Sequence, residues 1–267
     1  MSKKLVSDLK TDEDFRDFYE QEYFRHPEMT KIPEYGDFMY GIVLRHLKPY
    51  MKQGIKAVDV GCNNGNLSLY MAQSGCEVLG IDYARNVVES AQKSAAFYGI
   101  KNAEFKAMDF VKEWNRSEEF DFVFCCNVLE HVREDKLFVE KFYQALKPGG
   151  KLLLIIPTSY SSMYRTYKFF TGRFASDDEV GHLRRYDGSE SRDLVERAGF
   201  TITKMAYVDS ALREWFIVHK QLRLFTMIWK QPVIRRVFNF VDSVLAKLFV
   251  YPATVCIHAT KKHMITD

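Results

Sequence analysis

The sequence predicts an α/β protein built on a doubly wound, mostly parallel sheet, and three observations carry that prediction. Between residues 55 and 156 short apolar runs alternate with longer amphipathic stretches, the pattern of successive βαβ units. The short runs are apolar throughout, as strands covered on both faces must be. One of them, Ala57-Val58-Asp59-Val60, breaks into the small-residue turn Gly61-Cys62-Asn63-Asn64-Gly65 and at once becomes helix-like. A glycine-bearing strand-to-helix turn at the carboxyl edge of such a sheet is where open α/β folds bind ligands.

The elements follow in chain order. Residues 12–51 read as one or two aromatic-rich helices divided at Pro27 and Pro33, within a helical cap spanning 1–52. Strands are expected at 55–60, 77–82, 103–107, 121–126 and 150–156, and helices at 66–75, 84–98 and 134–146. Leu146-Lys147-Pro148-Gly149-Gly150 supplies glycine and proline where the third helix should stop. A capped helix from Ser189 to Ala198 ends at Gly199, and Thr201–Val208 and Thr254–Lys261 are candidates for two last strands. Between those strands, residues 212–251 carry two apolar stripes at helical spacing. Trp215, Val218, Leu222, Phe225 and Trp229 form the first, and Val233, Val237, Val241, Val244 and Leu248 the second. The organisation predicted is one domain: the cap, a core over 53–208 and 253–262, and a helical insertion over 209–252.

Composition narrows the class further. At 267 residues, 47% hydrophobic and 27% charged, the chain has ample apolar material for a large folded domain, which excludes a disordered one. A net charge of +3 gives no global argument for nucleic acid. Cys62, Cys76, Cys125, Cys126 and Cys256 show no C-x-x-C spacing, which suits reduced thiols in the cytoplasm. The start lacks the apolar core of a signal peptide, and no run of 18 apolar residues offers a spanning helix.

Charge then selects the ligand of the turn. A pyrophosphate calls for a G-x-G-x-x-G spacing and no nearby anion, but here glycine stands only at 61 and 65 and Asp59 ends the strand beneath. That acid disfavours a nicotinamide dinucleotide and suits a cation such as the sulfonium and ammonium of S-adenosylmethionine (SAM). A second acid, Asp82, ends the next apolar run, placed to accept hydrogen bonds from both hydroxyls of a ribose. With these residues the stretch resembles the class I SAM-dependent methyltransferases, whose first motif is an acid followed by G-x-G-x-G. The middle glycine is replaced by Asn63, one of the few side chains that tolerates a positive φ. The resemblance covers residues 55–156 well and implies a seven-stranded sheet of order 3-2-1-4-5-7-6 with the seventh strand antiparallel. It also implies a cofactor site built from Asp59, Gly61, Cys62, Asn63 and Gly65, with Asp82 ending the second strand and Tyr83 just after it. A helix ahead of the domain often closes over the cofactor in this family, so Tyr19 or Tyr23 is a candidate for its carboxylate.

Two later stretches extend the site. Met108-Asp109-Phe110 follows the third strand, where Asp109 can accept from the adenine amino group and Met108 and Phe110 can cover the ring; Asp109 equally suits a helix N-cap. Asn127-Val128-Leu129-Glu130-His131-Val132 resembles the family segment that passes under the sulfonium end, with Asn127 an acceptor for the ammonium. His131 is a candidate general base there. Glu130 has no second acidic motif at ligand spacing, so no metal is predicted.

The acceptor side is expected in the long loop after the fifth strand. Tyr160 opens it, and His182-Leu183-Arg184-Arg185-Tyr186 closes it, similar to stretches on the pocket rim of bacterial family members. His182 is the preferred base, because a substrate-side proton acceptor should come from the acceptor loop. Tyr160, Arg184, Arg185 and Tyr186 are substrate-binding candidates, the two arginines favouring a phosphate, carboxylate or sugar acid. Arg213, Lys220, Arg223, Lys230, Arg235, Arg236 and Lys247, against only Glu214 and Asp242, make residues 212–251 either a basic membrane-surface arm or a lid or dimer face. The function expected is methyl transfer from SAM to an O or N atom of a small-molecule or lipid- or glycan-linked acceptor. The alternative is a non-catalytic SAM-binding module that docks on membrane or a partner.

Overall fold

The computed structural model describes residues 37–172, 180–218, 231–248 and 252–262, together with 14, 17, 18, 20, 30–34, 174, 177 and 229. Seven strands form one sheet: β1 (Lys56–Val60), β2 (Glu77–Asp82), β3 (Ala103–Ala107), β4 (Phe120–Cys126), β5 (Leu146–Pro157), β6 (Phe200–Val208) and β7 (Thr254–Lys261). Their order is β3-β2-β1-β4-β5-β7-β6. The first five strands pair in parallel, and β7 runs antiparallel to both β5 and β6, as the family resemblance implies. Because β2 lies on one side of β1 and β4 on the other, chain direction across the sheet reverses at β1. Ligands of open α/β sheets bind in the crevice this reversal opens.

Side-chain alternation along the strands feeds two cores. Val58, Val123, Cys125, Leu152, Leu154 and Ile257 point to one face, where Phe138 and Phe142 of α5 (Asp135–Ala145) and Val195 of α7 (Gly188–Arg197) cover them. Their neighbours Ala57, Phe122, Phe124, Leu153, Ile155 and Cys256 point to the other. There they meet Leu44 and Leu47 of α1 (Gly41–Leu47) and Met71 of α2 (Asn66–Gln73). A third cluster joins α2 to α3 (Arg85–Phe97) through Leu69, Val88, Ala91 and Phe105. A one-residue slip in any central strand would exchange these faces, so the register that sets the strand ends is strongly specified.

Several boundaries differ from the sequence reading, each for a local reason. The helix before β5 ends at Ala145, ahead of Pro148-Gly149-Gly150, because Leu146 is already extended and fully buried opposite Phe120 of β4. The glycines instead carry an irregularity in which Phe120 pairs with Leu146 and Phe122 with Lys151; Gly149 takes φ 78°. The helix expected from Ser189 starts at Gly188, since Asp187 caps it and Glu190 completes the capping box. The long loop after β5 is not structureless: α6 (Ser162–Thr171) forms within it, capped by the hydroxyl of Ser161. Its two ends are tied by a bridge between Thr158 and Tyr186.

The insertion before β7 contains α8 (Ala211–Val218) and α9 (Pro232–Leu248). Arg213, assigned to a basic outer face by its sequence, is instead 2% exposed. Its guanidinium lies 2.8 Å from Asp242 of α9 and donates to the carbonyl of Phe38 at 2.7 Å. A buried guanidinium must spend its donors on fixed acceptors, and Asp242 with Phe38 supplies them. Trp229, expected at a membrane surface, is 7% exposed and packs edge-on against Phe38. Lys220, Arg223, Lys230, Leu222 and Phe225 lie outside the described residues, as do Tyr19, Tyr23 and the side chains of Val218, Lys247 and Leu248.

Candidate active site

The turn after β1 is held on β2: the N–H groups of Gly61 and Cys62 both donate to the carbonyl of Ile81, at 2.7 and 2.9 Å. Gly61 adopts φ 81°, and a Cβ there would fall 2.1 Å from a methyl of Val128. Glycine is therefore required both by conformation and by the close passage of the segment after β4. Asn63 adopts φ 49°, the left-handed conformation that its place in the motif demands. Its own side-chain oxygen accepts from the N–H of Asn64 at 2.6 Å.

Above this turn opens a cavity of about 700 Å³, within the range of small-molecule and cofactor sites. It is lined by Asp59, Gly61, Cys62 and Asn63 of the turn, by Asp82 and Tyr83, by Met108, Asp109 and Phe110, and by Asn127. Ten of the eleven residues assigned to the cofactor from sequence thus share one space. Gly65 is the exception. It lies behind the wall, where a Cβ would meet Ala91 and Phe105 at 2.9 Å, so it serves the packing of α2 on α3 and β3. Met39, Tyr40 and Val43 also line the cavity, from the start of α1. The sequence reading missed them as site residues; Tyr40 and Val43 stand one turn apart and pack against the same cluster as the buried Leu44 and Leu47.

The electrostatics of the cavity floor are those of a cation site. Asp59 is 2% exposed and accepts from Ser68 Oγ at 2.6 Å. Burial pushes its pKa up to about 7, against the help of Ser68 and with a further push from Asp82. Burial raises Asp82 as well, opposed by the N–H groups that it caps. Asp82 accepts from Asn63 N–H at 2.8 Å on Oδ2 and from Ala84 N–H at 3.0 Å on Oδ1, with Tyr83 N–H a further donor to the same carboxylate. Asp109 does what its N-cap position predicts for α4 (Phe110–Glu113), accepting from the N–H groups of Val111 and Lys112, while also lining the cavity.

The two candidate bases come together at the cavity wall: His131 lines it, and His182, which does not, stacks edge-on with its ring centroid 4.8 Å away. His131 Nδ1 lies 3.0 Å from the carbonyl of Gly181, and His182 Nδ1 lies 2.7 Å from Asp177. Burial, reinforced by His182, lowers the pKa of His131 to about 3, so its imidazole is neutral at physiological pH. Beside them lies Glu130, fully buried, with Oε1 3.7 Å from His182 Nε2. Burial pushes its pKa up to about 7, with His182 and Arg185 opposing.

The four substrate-binding candidates are placed otherwise than expected. None of Tyr160, Arg184, Arg185 and Tyr186 lines the cofactor cavity; the last three line a separate, smaller hollow beside α5 and α7. Arg185 is buried and forked onto Asp177, with Glu214 at 3.6 Å, so its charge is already matched by two carboxylates. Arg184 pairs with Asp135 at 2.6 Å. Tyr186 belongs to the core and donates to the same Asp135. Tyr160 accepts from the N–H of Gly188 at 3.1 Å. These groups hold the acceptor loop together and position His182 through Asp177.

Comparison with known proteins agrees with this geometry. The sequence profile of a family described as "Methyltransferase domain" matches residues 37–205. A ubiquinone biosynthesis O-methyltransferase of Leptothrix cholodnii is 38% identical over 104 residues, covering 38% of this chain and 43% of that protein. Phosphoethanolamine N-methyltransferase 3 of Arabidopsis thaliana is 34% identical over 106 residues, 39% of this chain and 21% of that protein. The chain therefore aligns with less than half the length of these curated relatives. Among solved structures, Haemonchus contortus phosphoethanolamine N-methyltransferase 2 in complex with S-adenosyl-L-methionine has a similar fold. It has a TM-score of 0.63 at 18% identity and covers 96% of this chain and 61% of that one.

Proposed function

Because this chain belongs to the class I SAM-dependent methyltransferases, we propose that it transfers the methyl group of SAM to an oxygen or nitrogen atom of a small-molecule or lipid-linked acceptor. The observation that carries this reading is the cavity at the chain reversal, with Asp59 and Asp82 on its floor and Met108 and Phe110 on its wall. The donor set fits SAM: a buried carboxylate for a cationic ligand, a second carboxylate facing the cavity as an acceptor for a ribose hydroxyl, and apolar side chains for an adenine face. When bound, SAM supplies an electrophilic methyl carbon. The chain's own work is to hold the acceptor atom in line with it, keep water out and remove a proton from the acceptor. Proton removal falls to His131, which lines the cavity, with His182 and Glu130 packed beside it. A hydroxyl acceptor suits such a cluster best, since it is a weak nucleophile until ionised.

An acceptor of lipid type is supported by the outer face of α9. Val233, Val237 and Phe240 are 69%, 57% and 70% exposed there, with Arg236 also exposed. An apolar stripe with an arginine turned outward suits contact with an anionic membrane surface. No helix among the described residues is long and apolar enough to cross a membrane.

The test is turnover. Protein incubated with SAM and a lysate fraction should yield S-adenosylhomocysteine and a product heavier by one methylene, both read by mass spectrometry. His131→Ala should lower kcat by roughly 10²–10⁴-fold and leave SAM affinity nearly intact. Binding of SAM without turnover in soluble and lipid fractions alike would instead favour the non-catalytic module.

A further inference from the structure

One wall of the cofactor cavity comes from the start of α1, where Met39, Tyr40 and Val43 face it. The later turns of that helix are anchored on the sheet by Leu44 and Leu47. Its first residues have less packing to hold them: Met39 is 52% exposed, and the N-cap Tyr40 makes no side-chain capping hydrogen bond. The residue just ahead of them is fixed. Phe38 is 6% exposed, and its neighbours come from the insertion before β7.

Arg213 of α8 makes the central contact. Its Nη1 donates to the carbonyl of Phe38 at 2.7 Å, its Nη2 to Oδ1 of Asn239 at 2.7 Å and its Nε to Oδ2 of Asp242 at 2.8 Å, with Asp209 at 3.3 Å as a second carboxylate. Asn239 and Asp242 stand three residues apart on α9, so one face of that helix presents both acceptors. The guanidinium carbon also lies 4.7 Å from the centroid of the Phe38 ring and 5.3 Å from that of Phe238. Trp229 closes the ring of Phe38 edge-on at 5.0 Å. Phe38 is therefore held by backbone and by ring. A guanidinium serves three fixed acceptors because its donors diverge in one plane, which the point charge of an ammonium cannot do.

We propose that Arg213 is a positioning residue for the cofactor cavity: through Phe38 it holds Met39 and Tyr40 in the cavity wall, so that the inner face of the α8–α9 insertion buttresses the site. Arg213 does not line the cavity, and its charge is matched by Asp242 and Asp209, so its effect on a ligand passes through the backbone of Phe38. A wall that stands in place before the ligand arrives need not be ordered by binding, and the affinity gains what that ordering would cost. The proposal rests on SAM being the ligand of this cavity. It leaves the outward stripe of α9 free for any other contact.

The experiment titrates the full chain with SAM by calorimetry, and urea denaturation of the same preparations establishes that each variant is folded at the working temperature. Arg213→Lys keeps a cation beside Asp242 and Asp209 but gives up the fork. It is expected to weaken SAM binding roughly 2–30-fold. In a Met39→Ala/Tyr40→Ala background, where the side chains being positioned are gone, the same substitution should change affinity by less than about twofold. A residue that only stabilises the fold would lower the urea midpoint and leave affinity unchanged in both backgrounds. Phe38→Leu spares the pair with Asp242 and should repeat the pattern, and it decides the question if Arg213→Lys does not fold. Wild-type affinity in the folded variant, or equal losses in the two backgrounds, would overturn the proposal while SAM binding by the wild type stands. A wild-type chain that binds no SAM would overturn the cofactor reading and the proposal with it.

Discussion

Gly61 carries two demands at once, a φ of 81° and the approach of Val128 to where a Cβ would be. Gly61→Val is therefore expected to displace the segment after β4 and abolish cofactor binding in calorimetry; a folded variant that binds normally would place the pocket elsewhere. Asp59 makes a finer test. Its native pKa of about 7 lies above the usual carboxylate value, so the ligand-free protein holds that proton more tightly than the unfolded chain does. Stability of the ligand-free form should accordingly fall as pH rises from about 4 to about 7, and Asp59→Asn should remove that part of the fall in denaturant titrations at successive pH values. A cationic ligand reverses the preference. Affinity for SAM should rise about tenfold from pH 6 to pH 8 in wild type and stay flat in Asp59→Asn. The legible part of the site is the part built from turn chemistry: Asn63 at a positive φ, and carboxylates ending β1 and β2. The acceptor residues were not legible, because whether Arg185 faces a ligand or Asp177 depends on contacts made by chain folding back from far along the sequence.

At the scale of elements, strands buried on both faces declared themselves by apolar runs, and the helices between them by spacing. What spacing cannot say is which neighbour covers a stripe. In α9 the stripe of Val233, Val237 and Val241 read from sequence is the exposed one, while Asp242 is turned inward to Arg213. That buried pair holds α8 to α9, so Asp242→Ala should cost about 1.5–3 kcal/mol in urea denaturation, because Arg213 keeps Asp209 at 3.3 Å but loses its nearer carboxylate. The outward stripe makes an independent prediction. Val237→Ser together with Phe240→Ser should leave stability nearly unchanged and reduce co-sedimentation with anionic vesicles. Wild-type protein that ignores such vesicles at low salt would leave α9 as a lid or subunit contact.

For the whole molecule, the sheet order brings the ends of β1, β2, β3 and β4 to one edge, and the cavity is a consequence of that order. The resemblance in residues 55–156 anticipated this arrangement because the motifs sit at strand ends, where topology and chemistry coincide. Asp82 is the point at which the fold, the turn and the ligand meet, since it caps the turn through Asn63 and faces the cavity. Calorimetric titration of the purified chain with SAM, S-adenosylhomocysteine and NAD therefore tests the account most directly. The prediction is saturable binding of the first two, weakened by on the order of 1.5–3 kcal/mol in Asp82→Ala, with no measurable binding of NAD. Tight binding of NAD, or SAM binding untouched by loss of Asp82, would contradict it.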